Sequence, residues 1–152
     1  MSGLINSAGS RSGIIGTTEL DYEEGTWEAT MVDGSGNAVG YAFNECAYTK
    51  IGKLVYISGR FGTNSVSGVG GGLKMSLPFA TGTRNEDRSA VSIGYLAVSP
   101  GAITAGTSVV LRPSGAYMNL HTWDTNEGTS AMTGSEWTTD GQMQFGGCYR
   151  TA

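Results

Sequence analysis

Hydrophobic and polar positions along this chain alternate over short stretches, and clusters of Gly, Ser, Asn and Asp separate one stretch from the next. A period of two punctuated by turn residues predicts strands rather than helices. Lys53 to Phe61 shows it most plainly. Leu54, Tyr56, Ser58 and Arg60 fall on one side, and Val55, Ile57, Gly59 and Phe61 fall on the other, which is expected to face the core. Further strands are predicted at Thr26 to Val32, Tyr41 to Tyr48, Leu73 to Leu77, Ser89 to Val98, Ser108 to Arg112, Tyr117 to Trp123, Glu136 to Thr139 and Gln142 to Tyr149. Within Ser89 to Val98, strict alternation places Val91, Ile93, Tyr95 and Ala97 on one side. Asp33 to Asn37, glycine-rich Asn64 to Gly72, charged Thr81 to Arg88 and polar Asp124 to Gly134 read as turns or loops. The count is eight or nine strands with no helix and no fixed-period repeat, the pattern of a sandwich or barrel.

Met1 to Glu19 breaks this pattern. It holds two apolar pairs, Leu4-Ile5 and Ile14-Ile15, in a background of Gly, Ser, Thr and Asn, and it follows neither period. It is expected to be an extended arm ahead of a domain covering 20–152. Stretched out, it would reach about 60 Å, far enough to cross onto a neighbouring subunit. A solvated tail has little use for four large aliphatics, so the arm is expected to dock.

Composition sharpens the picture. A chain of 152 residues makes one domain. With 25 Gly, 16 Ser and 17 Thr but only 14% charged residues, it suits short strands and many turns. Three prolines and a net charge of -4 are too few to hold a disordered chain open. Nine basic against thirteen acidic residues leave no surplus for a phosphate backbone, which argues against nucleic acid as a partner. The longest apolar runs are a few residues, against roughly 20 for a membrane-spanning helix, and no secretion signal opens the chain. Folding in the cytosol is the expectation, and a reducing compartment favours buried thiols at Cys46 and Cys148 over a disulfide.

Candidate chemistry is sparse. His121, the single histidine, has no nucleophile marked as its partner and reads as structural or solvent-facing. Cys46, Cys148 and His121 lack the local spacing of a zinc site. Asp124 to Gly128 offers alternating oxygen donors but no distal glutamate for calcium. Asp21, Glu23 and Glu24 precede a strand, where clustered acids protect a sheet edge, and no acid partner for glycoside hydrolysis is marked elsewhere. The expectation is no enzyme, no cofactor and no metal. Trp123, Trp137, Tyr117 and Tyr149 are expected to pack as a set, with one ring exposed near the Asp124 loop. Trp123, Asp124, Asn126 and Glu127 are therefore the candidate ligand-facing residues.

Ser2 to Gly16, containing GSRSGIIG, and the DYEEGTW segment Asp21 to Trp27 resemble a module recurring in structural proteins of tailed bacteriophages. Tyr48 to Arg60 (YTKIGKLVYISGR) and Leu77-Pro78-Phe79 match the same module, so the resemblance covers about the first half of the chain. It implies an all-β, jelly-roll-like antiparallel β-sandwich with an extended N-terminal arm, assembled as a homotrimer within a virion. A chain that opens directly with the arm favours a capsid decoration (cement) protein that binds the major capsid protein and stabilises the head. The alternative is the adhesion domain of a tail fibre or spike that contacts host surface glycans. Under either reading Leu4, Ile5, Arg11, Ile14 and Ile15 are the expected assembly residues, and the protein is assembled into virions in the host cytoplasm.

Overall fold

The computed structural model describes residues 21–82, 89–98, 109–125 and 128–151, without the side chains of 109–113 and 124–125. Its strands in chain order are β1 (Tyr22–Trp27), β2 (Met31–Val32), β3 (Gly40–Ile51), β4 (Leu54–Ser65) and β5 (Lys74–Ser76). They continue with β6 (Val91–Ala97), β7 (Val109–Ser114), β8 (Tyr117–Thr125), β9 (Gly128–Ala131) and β10 (Gln142–Arg150). Every ladder is antiparallel, and no helix occurs among the described residues. The expected arm residues Leu4, Ile5, Arg11, Ile14 and Ile15 lie outside the described residues, as do Asn126 and Glu127.

The strands run in the order β1-β3-β4-β10-β6-β7-β8-β5-β2, with β9 on β8 beside β5. Only Val91↔Leu111 and Ser92↔Val110 join β6 to β7. The ladder bends there, and its two halves form the layers of a β-sandwich. Tight hairpins close β3–β4 around Gly52 (φ 57°) and β7–β8 around Gly115 (φ 61°). A left-handed first position is what a two-residue turn between twisted strands requires.

The expected strand Thr26 to Val32 is divided in two, because here the chain crosses between layers. The Asn44 side chain takes both the N–H and the C=O of Ala29 (3.2 and 2.7 Å). The next residue, Thr30, bonds Ser76 on β5 through N–H to Oγ (2.9 Å) and through C=O to N–H (2.8 Å).

Between the layers lies the core, which is rich in methionine. Met31, Met75, Met118, Met132 and Met143 are all buried, with Val55, Ile57, Phe61, Leu73, Leu120 and Trp137 among them. An unbranched thioether fills irregular gaps that two twisted sheets leave. Trp137 donates to Thr63 Oγ1 (2.9 Å), and Thr63 in turn donates to the Thr138 carbonyl (3.0 Å), so the one polar atom of the indole is satisfied.

Four sequence expectations are corrected. Between Gln144↔Tyr95 and Phe145↔Ile93 the β6–β10 register shifts, which leaves Gly94 unpaired and turns Tyr95 to the face opposite Val91 and Ile93. A bulge of one residue reverses alternation beyond it. Asp124 to Gly134 is in large part a hairpin: β8 continues to Thr125 and β9 returns, with Thr125↔Gly128 its first pair. Glu136 to Thr139 is a turn and not a strand. The Glu136 carboxylate accepts from Thr133 N–H (2.6 Å) and Oγ1 (2.7 Å), in the Thr-x-x-Glu pattern of a capping box. Finally, Cys46 is buried but Cys148 is exposed.

Candidate functional site

Asp21 to Trp27, Tyr48 to Lys50 and Leu77 to Phe79 meet at one end of the sandwich. Asp21 pairs with Lys50 (2.5 Å), and Glu23 accepts from the Tyr48 hydroxyl (2.8 Å), fastening β1 to β3. Gly25 lies under the Tyr48 ring, where a Cβ would stand 2.9 Å from the hydroxyl and push the ring aside. The Tyr48 ring meets Phe79 edge-on at 5.0 Å, and the Lys50 ammonium stands 5.7 Å from the Phe79 centroid. Tyr149 completes the cluster. Its buried hydroxyl donates to the Phe79 carbonyl (2.9 Å) and accepts the Phe79 N–H (3.2 Å). Burial pushes the Tyr149 phenol up to about 12, and the carboxylate of Glu23 beside Tyr48 raises the Tyr48 phenol as well. DYEEGTW, YTKIG and LPF are thus one packing unit, which fixes the edge strand where the described chain begins. Among the described strands β1 ends the sheet order, where clustered acids suit an edge.

Above this unit, the outward side of β1, β3, β4, β10 and β6 forms a continuous surface. Register sets its rows. Tyr22, Ile51, Leu54 and Arg150 lie side by side, and Glu24, Thr49, Tyr56 and Cys148 come next. Thr26, Ala47, Ser58, Gly146 and Ser92 make a row of small side chains, followed by Glu45, Arg60, Gln144 and Tyr95. Tyr22, Ile51, Leu54, Tyr56 and Tyr95 are each between 43% and 54% exposed, which places most of the large exposed apolar side chains of the described chain on this one face. Thr26, Ala47 and Ser58 of this small row line an open groove of about 870 Å³, together with Glu28, Glu45, Arg60 and Gln144. Arg60 is held in place, its guanidinium 4.0 Å from the centre of the Phe43 ring.

The sequence placed Leu54 and Tyr56 together on the non-core side of β4 but gave no reason to join them to Tyr22, Ile51, Cys148 and Tyr95. The apolar character of both sides of β4 was the available signal, since a strand with one solvated face alternates with polar residues. Cys148 lies on the outer side and Cys46 on the inner side of the same sheet, so the two cannot pair. Burial pushes the Cys46 thiol up to about 12.

Of the residues expected to face a ligand, Trp123 is 54% exposed near the end of β8. Asp124 is placed in the same strand by its backbone. As expected for the aromatic set, Trp137 and Tyr149 are core, and Tyr117 is half-buried beneath the Lys74 ammonium at 4.7 Å. His121 sits within β8 opposite Ala131 and Val110, on a different strand from either cysteine.

One buried carboxylate was legible only as a turn residue. Asp33 accepts from the N–H groups of Ser35 (2.8 Å), Asn37 (2.9 Å) and Gly70 (3.2 Å) and from the Asn37 amide (3.0 Å). These bonds hold its carboxyl well below the usual carboxylate range and tie the glycine-rich loop to the β2–β3 turn. With four donors satisfied, its role is structural. Compared with known proteins, the chain matches no family model and no curated protein.

Proposed function

We propose that this chain is a structural protein of a bacteriophage virion, a homotrimeric capsid decoration protein that binds the major capsid protein and stabilises the head. The observation that carries the reading is the broad outward face with its cluster of half-exposed Tyr, Ile and Leu side chains. Single exposed apolar residues are ordinary on a soluble domain, but a contiguous patch of this kind marks a surface that something else covers. The family resemblance supports the same reading, and the packing of its motifs gives them a mechanical purpose. They fix β1, so that residues 1–20, which hold the proposed assembly residues Leu4, Ile5, Arg11, Ile14 and Ile15, join the sandwich beside Tyr22, Ile51 and Leu54. Titrating purified protein onto undecorated capsids tests the proposal. Saturable binding that raises the temperature at which heads rupture is expected, and a lack of saturable binding would remove it.

A second reading rests on Trp123, whose half-exposed ring near the β8–β9 turn suits the apolar face of a sugar. Under it the chain is the adhesion domain of a tail fibre contacting host surface glycans. Binding on a glycan array that disappears in Trp123→Ala would favour this reading over decoration of the head.

A further inference from the structure

We infer that the outward face of β1, β3, β4 and β10 is where one copy of this chain packs against another, with Leu54 and Tyr56 at the centre of the contact. The inference rests on the proposed self-assembly and names the surface that performs it.

Area comes first. Tyr22, Ile51, Leu54 and Tyr56, each about half exposed, at about 200 Å² for a whole aromatic side chain, leave roughly 400 Å² of apolar surface in contact with water. A standard interface buries about 800 Å² on each partner, and its core is about 65% apolar. The patch is therefore close to what one partner of a stable assembly supplies. It is also contiguous. Tyr22, Ile51 and Leu54 adjoin in register, Tyr56 follows Leu54 on the same side of β4, and the Tyr56 hydroxyl stands 3.6 Å from where a Cβ on Gly146 would be.

Charge points to a copy of the same chain rather than to a charged partner. On the face and its rim Glu24, Glu28 and Glu45 are matched by Lys53, Arg60 and Arg150, so the net charge of -4 is carried elsewhere. Three such faces turned toward a common axis meet without net repulsion, and acids on one copy can lie against bases on the next. Shape agrees with charge. The face carries both projecting rings and the 870 Å³ groove lined by Thr26, Ala47 and Ser58, so the projections of one copy have a recess on the next.

Cys148 lies in the Tyr56 row and reports on the contact, while Cys46 reports on the fold. The experiment measures sedimentation mass from 1 to 100 µM and maleimide labelling rates at each cysteine, for the full chain and for Leu54→Glu/Tyr56→Glu. The expected result is a multiple of 15.8 kDa for the unmodified protein and 15.8 kDa for the variant at about 10 µM. This corresponds to weakening of about 100-fold or more, as for loss of a central hot spot. Cys148 should label at least about tenfold faster in the variant, while Cys46 stays unlabelled and circular dichroism is unchanged in both.

An unmodified protein that assembles while the variant assembles equally well, with Cys148 equally reactive in both, would overturn this face but leave self-assembly standing. A protein of 15.8 kDa at every concentration would overturn both. Protection of Cys148 that arises only on binding to capsids would make the particle the occupant and refute a second copy. Should the double variant label at Cys46, showing that it has opened, Ile51→Ser and the protection of Cys148 in the unmodified protein decide the matter.

Discussion

Changing Tyr149 to Phe removes one oxygen and leaves the buried ring in place, so it isolates the bond that fastens the Leu77-Pro78-Phe79 segment to β10. That hydroxyl donates to the Phe79 carbonyl and accepts the Phe79 N–H, and both bonds are lost together. At about 1 kcal/mol for each bond, with more where the orphaned backbone groups are shielded from water, the expected loss is about 2–3 kcal/mol. For a domain of this length each kcal/mol moves the melting temperature by about 2–4 °C, so a fall of roughly 5–10 °C is predicted. Alkaline pH supplies a second check. Because burial raises the native phenol from its ordinary 10 to about 12, the unfolded chain gives up this proton first. The stability linked to it is fully present below pH 10 and is lost as the pH rises through about 12. Phenylalanine does not titrate, so the gap between the two proteins should narrow above pH 10. Thermal unfolding followed by circular dichroism at pH 7 and pH 11 measures both effects. A loss below about 0.5 kcal/mol at pH 7 would refute the role assigned to this hydroxyl, since that is within the range of indifferent surface changes.

Three further outcomes are expected. Asp33→Asn should lower the melting temperature at pH 7, with the deficit shrinking on acidification. The native carboxyl titrates below its ordinary value of 3.8, so its contribution is present above that value and is lost as the pH falls through the native one; equal deficits at pH 7 and pH 2 would contradict the bonds assigned to it. Gly59→Ala should destabilise by about 1–3 kcal/mol in urea unfolding, because its Cβ would stand 2.7 Å from both Cys46 Sγ and Phe145 Cζ in a filled core. Trp123→Ala should change unfolding free energy by less than about 0.5 kcal/mol, because the ring is half exposed, so a large loss would place it in the fold rather than on the surface.

How far the sequence reached is clearest in β4. Its alternation was unbroken, and Val55, Ile57 and Phe61 are buried as that pattern required. Local turn chemistry was equally readable, with a turn at Asp33 to Asn37 and a cluster of acids ahead of an edge. What failed depended on partners distant in the chain. Nothing near Gly94 announces a bulge, because the shift exists only against Gln144 and Phe145 on β10, and it decides which face carries Tyr95. β9 contains Gly, Thr, Ser and Ala, which resemble a loop until β8 supplies a ladder. Glu136 to Thr139 looked extended, although Thr133 and Glu136 carried the spacing of a capping box. The candidate surface was half legible: Leu54 and Tyr56 were assigned to one side, but only the pairing of β1, β3, β4, β10 and β6 brings Tyr22, Ile51, Cys148 and Tyr95 alongside them.

The central claim is that copies of this protein join through one sheet face and attach to a capsid. A cryo-EM map of the intact particle tests it most directly. The account predicts density for this sandwich on the head in groups of three, with Leu54 and Tyr56 turned toward neighbouring copies. A particle whose head lacks the chain, or on which isolated copies leave that face open to solvent, would contradict it.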